Sequence, residues 1–116
     1  MASKLQRSRQ IAFKCQDGKC YYCGLRMWLH GATGPTQLLC TAEHLIARSD
    51  GGSEALSNIV AACRHCNHTR HKRKNPPPPE RYQVEVQLRI ARGGWLPKHV
   101  RVWGGVTSAT ANRAGT

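Results

Sequence analysis

Carboxylates are scarce in this chain: its 116 residues hold six Asp and Glu against eighteen Lys and Arg, a formal charge of +12. Positive charge this dense is drawn to phosphates by counterion release, so a polyanion, nucleic acid before others, is the expected partner. Long apolar runs are missing too. None approaches the ~18 residues that span a bilayer, and the opening "MASKLQRSRQIAFK" is basic and lacks the apolar core of a secretory signal. No membrane partner is expected, and the reducing cytoplasm is the expected compartment. No internal repeat is visible. No aromatic cluster alternates with the basic residues, so Trp28, Trp95 and Trp103 are expected to pack rather than to stack on bases.

A chain of this length makes one domain and buries only part of its surface, which invites a staple beyond the apolar core. The cysteines supply a candidate. Cys20 and Cys23 form one C-x-x-C, Cys63 and Cys66 form another, and 39 residues lie between the pairs, while Cys15 and Cys40 stand alone. In a reducing compartment two such pairs read as ligands of one tetrahedral zinc ion rather than as disulfides.

Local signals divide the chain. Residues 4–16 suit a short basic helix. Asp17-Gly18 marks a turn, and Gly24 fits a zinc knuckle, where the backbone must turn its amides toward sulfur. "TQLLCTAEHL" reads as a strand ending at Glu43-His44; "ARSDGGSEALSN" is a turn-rich loop, and "NIVAAC" a short buried strand. "NHTRHKRK" then reads as a helix stopped by "NPPPP". Beyond the prolines, Val84, Val86, Leu88 and Ile90 alternate like a strand, while Tyr82, Val86 and Ile90 share a helix face with a Glu85–Arg89 pair. Helix is the preferred reading. The expected units are residues 1–75 as an N-terminal helix plus core, 76–79 as a proline spacer, 80–103 as a helical arm on or beside the core, and 104–116 as a mobile tail.

One zinc joining the knuckles would bring the strand carrying Glu43-His44 close to the helix that begins near Asn67. A four-cysteine zinc has no open position, so chemistry must come from other groups. Glu43 offers a carboxylate oxygen and Asn67 a carbonyl oxygen to a hard ion such as Mg²⁺ or Mn²⁺. His71 lies four residues beyond Asn67 on the same helix face and is a candidate further ligand. His44 is left to take a proton from water, and the water to attack a phosphodiester. Asn58, at the exit of the glycine loop, is expected to tie the loop and hold the His44 ring.

The order "C-x-x-C … EH … GG … N … C-x-x-CN", spanning about Lys14 to Lys74, resembles the HNH endonucleases. The resemblance implies an α+β, ββα-metal, treble-clef-like domain with flanking helices, stapled by one structural zinc on Cys20, Cys23, Cys63 and Cys66. It also implies His44 as general base, Asn58 as the structural middle residue and Asn67 as a metal ligand in the third motif place, with Glu43 in the metal-binding place before the base. Aspartate or histidine is more usual where this chain has Glu43, whose extra methylene moves the carboxylate outward from the strand. The implied reaction is cleavage of duplex DNA, probing little sequence and leaving 5′-phosphate and 3′-hydroxyl ends.

Phosphate contacts are expected from Arg48, Arg64, Arg70, Lys72, Arg73 and Lys74, which position a duplex without reading bases. A homodimer or a larger phage or restriction-type assembly is compatible with the C-terminal arm. Two rivals remain at this stage: a zinc-containing nucleic-acid-binding module without catalysis, under which Glu43, His44 and Asn67 are surplus, and a nuclease directed at RNA.

Overall fold

The computed structural model describes residues 2–105; the expected mobile tail falls almost wholly outside them. Helix α1 spans Lys4–Cys15. Ser3 starts it through a reciprocal cap: its Oγ accepts from Gln6 N at 3.1 Å, and Gln6 Oε1 accepts from Ser3 N at 2.8 Å, satisfying amides that a helix start leaves free. Ser8 and Ala12 form the buried face of this helix, which lies against a two-stranded sheet.

The sheet is an antiparallel pair, β1 (Cys40–His44) and β2 (Ile59–Cys63), with Cys40 opposite Cys63 and Glu43 opposite Val60. The β1 strand is shorter than the apolar pattern from Thr36 predicts. Pro35 fixes an extended backbone and its carbonyl accepts from Leu38 N at 3.0 Å, so Thr36–Leu38 coil into a 3-10 turn before pairing begins. The outer edge of β2 is covered by Gln16, whose side-chain amide accepts from Ala61 N at 2.9 Å and donates to Ala61 O at 2.8 Å. An edge strand is thereby closed to further pairing.

The connection between the strands folds back on itself. Gly51 takes a left-handed φ of +90°, and a Cβ on Gly52 would run into the Ile46 carbonyl, which accounts for the paired glycines. Helix α2 (Arg64–His71) leaves β2 directly, with Cys63 as its cap residue.

After the prolines come α3 (Pro79–Ala91) and α4 (Lys98–Trp103). Pro79 occupies the first turn of α3, where a missing N–H costs nothing. The helix spacing prevails over the alternation of valines: Tyr82 and Val86 are buried one turn apart, while Val84 and Leu88 face solvent. Tyr82, Val86, Leu96 and Val100 join Tyr22, Leu25, Met27 and Leu38 in one core with the sheet. No helix among the described residues is long and apolar enough to cross a membrane.

Candidate active site and metal knot

Two tight turns build the knot. In the first, Gly24 at φ +76° returns its N–H to Cys20 O at 2.9 Å, and Cys20 N reaches Leu25 O at 2.9 Å. In the second, β2 runs into α2 between Cys63 and Cys66. The four buried sulfurs of Cys20, Cys23, Cys63 and Cys66 lie within 4.8 Å of one another, positioned to hold a metal ion. Donors already face them: Tyr22 N and Cys63 N point to Cys20 Sγ at 3.4 and 3.2 Å, and Cys66 N to Cys63 Sγ at 3.4 Å. Burial pushes the Cys66 thiol well above its ordinary range, whereas at Cys20 hydrogen bonds with the other three cysteines outweigh burial and pull it well below; four thiolates in one buried cluster would need a cation among them. Cys40 stands outside the cluster, its thiol pushed up to about 12 by burial, and Cys15 is exposed.

Helix α3 closes over both turns. Tyr82 O–H donates to Cys66 O at 2.8 Å, and Gln83 and Gln87 donate to Tyr21 O and Tyr22 O at 2.6 and 2.7 Å. Trp95 holds a left-handed φ of +79°, a costly conformation for a bulky residue. Its indole packs edge-on to His65 and Tyr82.

Glu43 sits at the junction of β1, α2 and the first turn. The longer side chain does carry the carboxylate away from the strand, though under α2 rather than into water: the residue is 1 % exposed. Tyr22 O–H and Arg70 NH1 both donate to Oε2, at 2.8 and 3.1 Å, and His71 Nε2 lies 2.9 Å from Oε1. Burial, and after it the Glu43 charge, push Tyr22 ionisation far up, so the phenol stays a donor. Asn67 donates both amide hydrogens to β1, to Thr41 Oγ1 at 3.0 Å and to Ala42 O at 3.2 Å. Its carbonyl oxygen is the atom this leaves for a cation.

His44 ends β1 beside Glu43, near enough that the charges of Glu43 and His71 both act on its ring. Arg48 Nε donates to His44 Nε2 at 3.3 Å. Burial and then the Arg48 charge lower the His44 pKa, so the ring is neutral at pH 7. Asn58 is buried and spans the loop: Oδ1 accepts from Ile46 N at 2.8 Å, while Nδ2 donates to Ile46 O and Ser53 O at 3.0 and 2.9 Å. With Leu45 N on Asn58 O at 2.9 Å, this residue fixes the chain just after His44; its side chain makes these bonds to backbone, and none to the imidazole among the described residues.

The basic residues divide by face. Arg64 and Lys72 line an open groove of about 290 Å³ with His65, His68, Thr36 and Gln37. Lys74 is exposed. Arg48 pairs with Glu54, and Arg73 with Glu85 on α3 at 2.6 Å. Arg70 departs from the expected phosphate-facing position. It is 7 % exposed and turned inward onto Glu43 and Pro77 O, because it shares the helix face of Cys66, four residues earlier.

Sequence reasoning missed Tyr22 and the structural part of Arg70. The spacing from Cys66 to Arg70 was the available signal for the second, whereas nothing local to Tyr22 marks it as the partner of a carboxylate 21 positions away.

A β-hairpin and a helix around four cysteines placed to hold a metal, with a carboxylate and an imidazole at the end of the hairpin next to its connecting loop, define a small ββα-metal domain. Residues 20–73, just under half of the chain and including every residue of the site, match the model of the HNH endonuclease family. No curated protein matches the chain. The family implies a nucleic-acid substrate.

Proposed function

We propose that the chain is a metal-dependent endonuclease that hydrolyses phosphodiester bonds in duplex DNA with little sequence preference, His44 serving as general base. The observation that carries this reading is the meeting of Glu43 Oε1 and His71 Nε2 at 2.9 Å beside the strand end that bears His44, inside a segment of the HNH endonuclease family. Adjacent ligand atoms on an octahedral ion with bonds of ~2.1 Å lie about 3 Å apart. An ion held by both atoms would lie to the side of the line between them and replace their hydrogen bond. Glu43, His71 and the Asn67 carbonyl would hold Mg²⁺ or Mn²⁺, and Cys20, Cys23, Cys63 and Cys66 a structural zinc, the ion that four thiolates favour.

The divalent ion, when bound, offsets charge developing on the phosphate and the departing oxygen. His44, held neutral, takes one proton from water as the water oxygen bonds to phosphorus. The P–O3′ bond breaks with its electron pair on the sugar oxygen, which a solvent proton completes to a 3′-hydroxyl, leaving a 5′-phosphate. Asn58 keeps the loop after His44 in place. Arg48 would exchange its contact with His44 for a substrate phosphate, freeing the Nε2 lone pair. Arg64, Lys72 and Lys74 offer further phosphate contacts.

Plasmid nicking by the parent and by His44→Ala in Mg²⁺, Mn²⁺, Ca²⁺ and EDTA tests the assignment. The variant should keep its cysteine-bound metal and its DNA affinity and lose cleavage by about 10²-fold or more. Mild EDTA should silence the parent before the cysteine site is stripped. Equal nicking by both proteins removes His44 from the base role, and nicking of neither supports the non-catalytic binding module. Parallel digestion of RNA decides the polymer.

A further inference from the structure

The two oxygens of Glu43 have different surroundings. Oε2 takes two donors, Tyr22 O–H at 2.8 Å and Arg70 NH1 at 3.1 Å, while Oε1 meets His71 Nε2 at 2.9 Å. A carboxylate this buried is tolerated only when its charge is compensated, but compensation alone does not require both donors on one oxygen. Arg70 is itself braced from behind. Its Nε and NH2 donate to Pro77 O at 3.1 and 2.9 Å, so one planar guanidinium spans the carboxylate and the proline segment. Prolines at 76–79 stiffen that segment, which lies beyond the stretch matching the family. Tyr22 is fixed as firmly, fully buried with its ring edge-on to Tyr82 at 4.8 Å.

We propose that Tyr22 and Arg70 are positioning residues that hold Glu43 by Oε2 and present Oε1 alone, beside His71, to the divalent ion, with the Pro77 carbonyl setting Arg70. This rests on the reading that Glu43 is a ligand of that ion. The consequence is a carboxylate confined to one-oxygen coordination. Mg²⁺ and Mn²⁺ accept that in a compact octahedral shell, whereas Ca²⁺ commonly takes both oxygens of a carboxylate in a larger and more flexible one. Releasing Oε2 should therefore weaken the small ions and narrow their advantage over Ca²⁺.

The test reads metal binding without turnover. Mn²⁺ is titrated into the full chain, with its cysteine-bound metal quantified, by following the free-ion electron paramagnetic resonance signal, and Ca²⁺ is added as competitor. The proteins are the parent, Tyr22→Phe, Arg70→Lys and Glu43→Gln. Tyr22→Phe keeps the buried ring and deletes one donor; Arg70→Lys keeps the charge and loses the two-sided brace. Each should weaken Mn²⁺ roughly 10- to 100-fold and lower the Mn²⁺-to-Ca²⁺ preference, with the cysteine-bound metal retained. A merely structural role would not move the ion preference. Should Glu43→Gln lose Mn²⁺ while Tyr22→Phe binds both ions as the parent does, the positioning role is overturned and Glu43 remains a ligand. Parental binding by Glu43→Gln overturns the ligand assignment itself. If Arg70→Lys does not fold, Tyr22→Phe decides alone.

Discussion

The indole nitrogen of Trp95 donates to the Cys66 sulfur across 3.3 Å. A residue beyond the family match thus reaches one of the four metal-facing sulfurs and holds a left-handed backbone to do so. An N–H donor stabilises thiolate charge, and the ring shields the sulfur from water. Trp95→Phe keeps most of the apolar cover and removes the donor. It should release the cysteine-bound metal to a colorimetric chelator about 10-fold faster than the parent. An unchanged release rate would show that the contact does nothing for the knot.

Tyr82 joins the same knot from α3 through its hydroxyl on Cys66 O at 2.8 Å, with the residue fully buried. Tyr82→Phe leaves that carbonyl without its donor and should cost about 1–2 kcal/mol, while Tyr82→Ala should cost about 3–5 kcal/mol by opening a cavity as well. Val84 on the opposite side of the helix is 59 % exposed; Val84→Ser should stay within about 0.5 kcal/mol of the parent. Urea unfolding at fixed metal load reads all three. A Tyr82→Ala protein as stable as Val84→Ser would mean that α3 docks loosely.

How far these features can be read from sequence depends on whether the signal is local. The C-x-x-C spacing and Gly24 describe tight turns whose geometry is local, and the knot follows from them. Residues 84–90 satisfy strand and helix periods at once, and the outcome was settled by the fit of Tyr82 and Val86 into the core. Arg70 is intermediate. Its place on the Cys66 face turns it inward, but its partner Glu43 is 27 positions earlier and comes near only when the knot closes. Tyr22 on Glu43 and Trp95 on Cys66 are purely tertiary, with no periodicity to announce them.

The base proposed at His44 makes a prediction about pH. Burial and then the Arg48 charge lower its pKa, with Glu54 and Glu43 acting in the opposite sense. A neutral base is lost as pH falls through its pKa, so the acid limb of kcat/KM should lie below the ordinary imidazole value of about 6.5. Arg48→Gln removes a positive neighbour and releases Glu54 from its ion pair. Both changes favour the imidazolium. The limb should therefore move to higher pH, and a limb that stays in place or moves down would count against His44 as the titrating group.

Arg64 and Lys72 lie on the side of α2 that borders the open groove, away from the Glu43 contacts made by Arg70 and His71. Neither is in an ion pair among the described residues, in contrast to Arg48, Arg70 and Arg73. Each phosphate contact releases condensed counterions, so its removal flattens the dependence of log affinity on log salt by about one unit. The double variant Arg64→Gln/Lys72→Gln should bind duplex DNA more weakly at every sequence and lose about two units of slope. Fluorescence anisotropy across a salt series in Ca²⁺ measures both. Cleavage at saturating substrate should stay near the parental rate, because neither side chain touches the carboxylate or the base. If the slope is unchanged, phosphates pass elsewhere, and the duplex must approach from the His44 side of the hairpin alone.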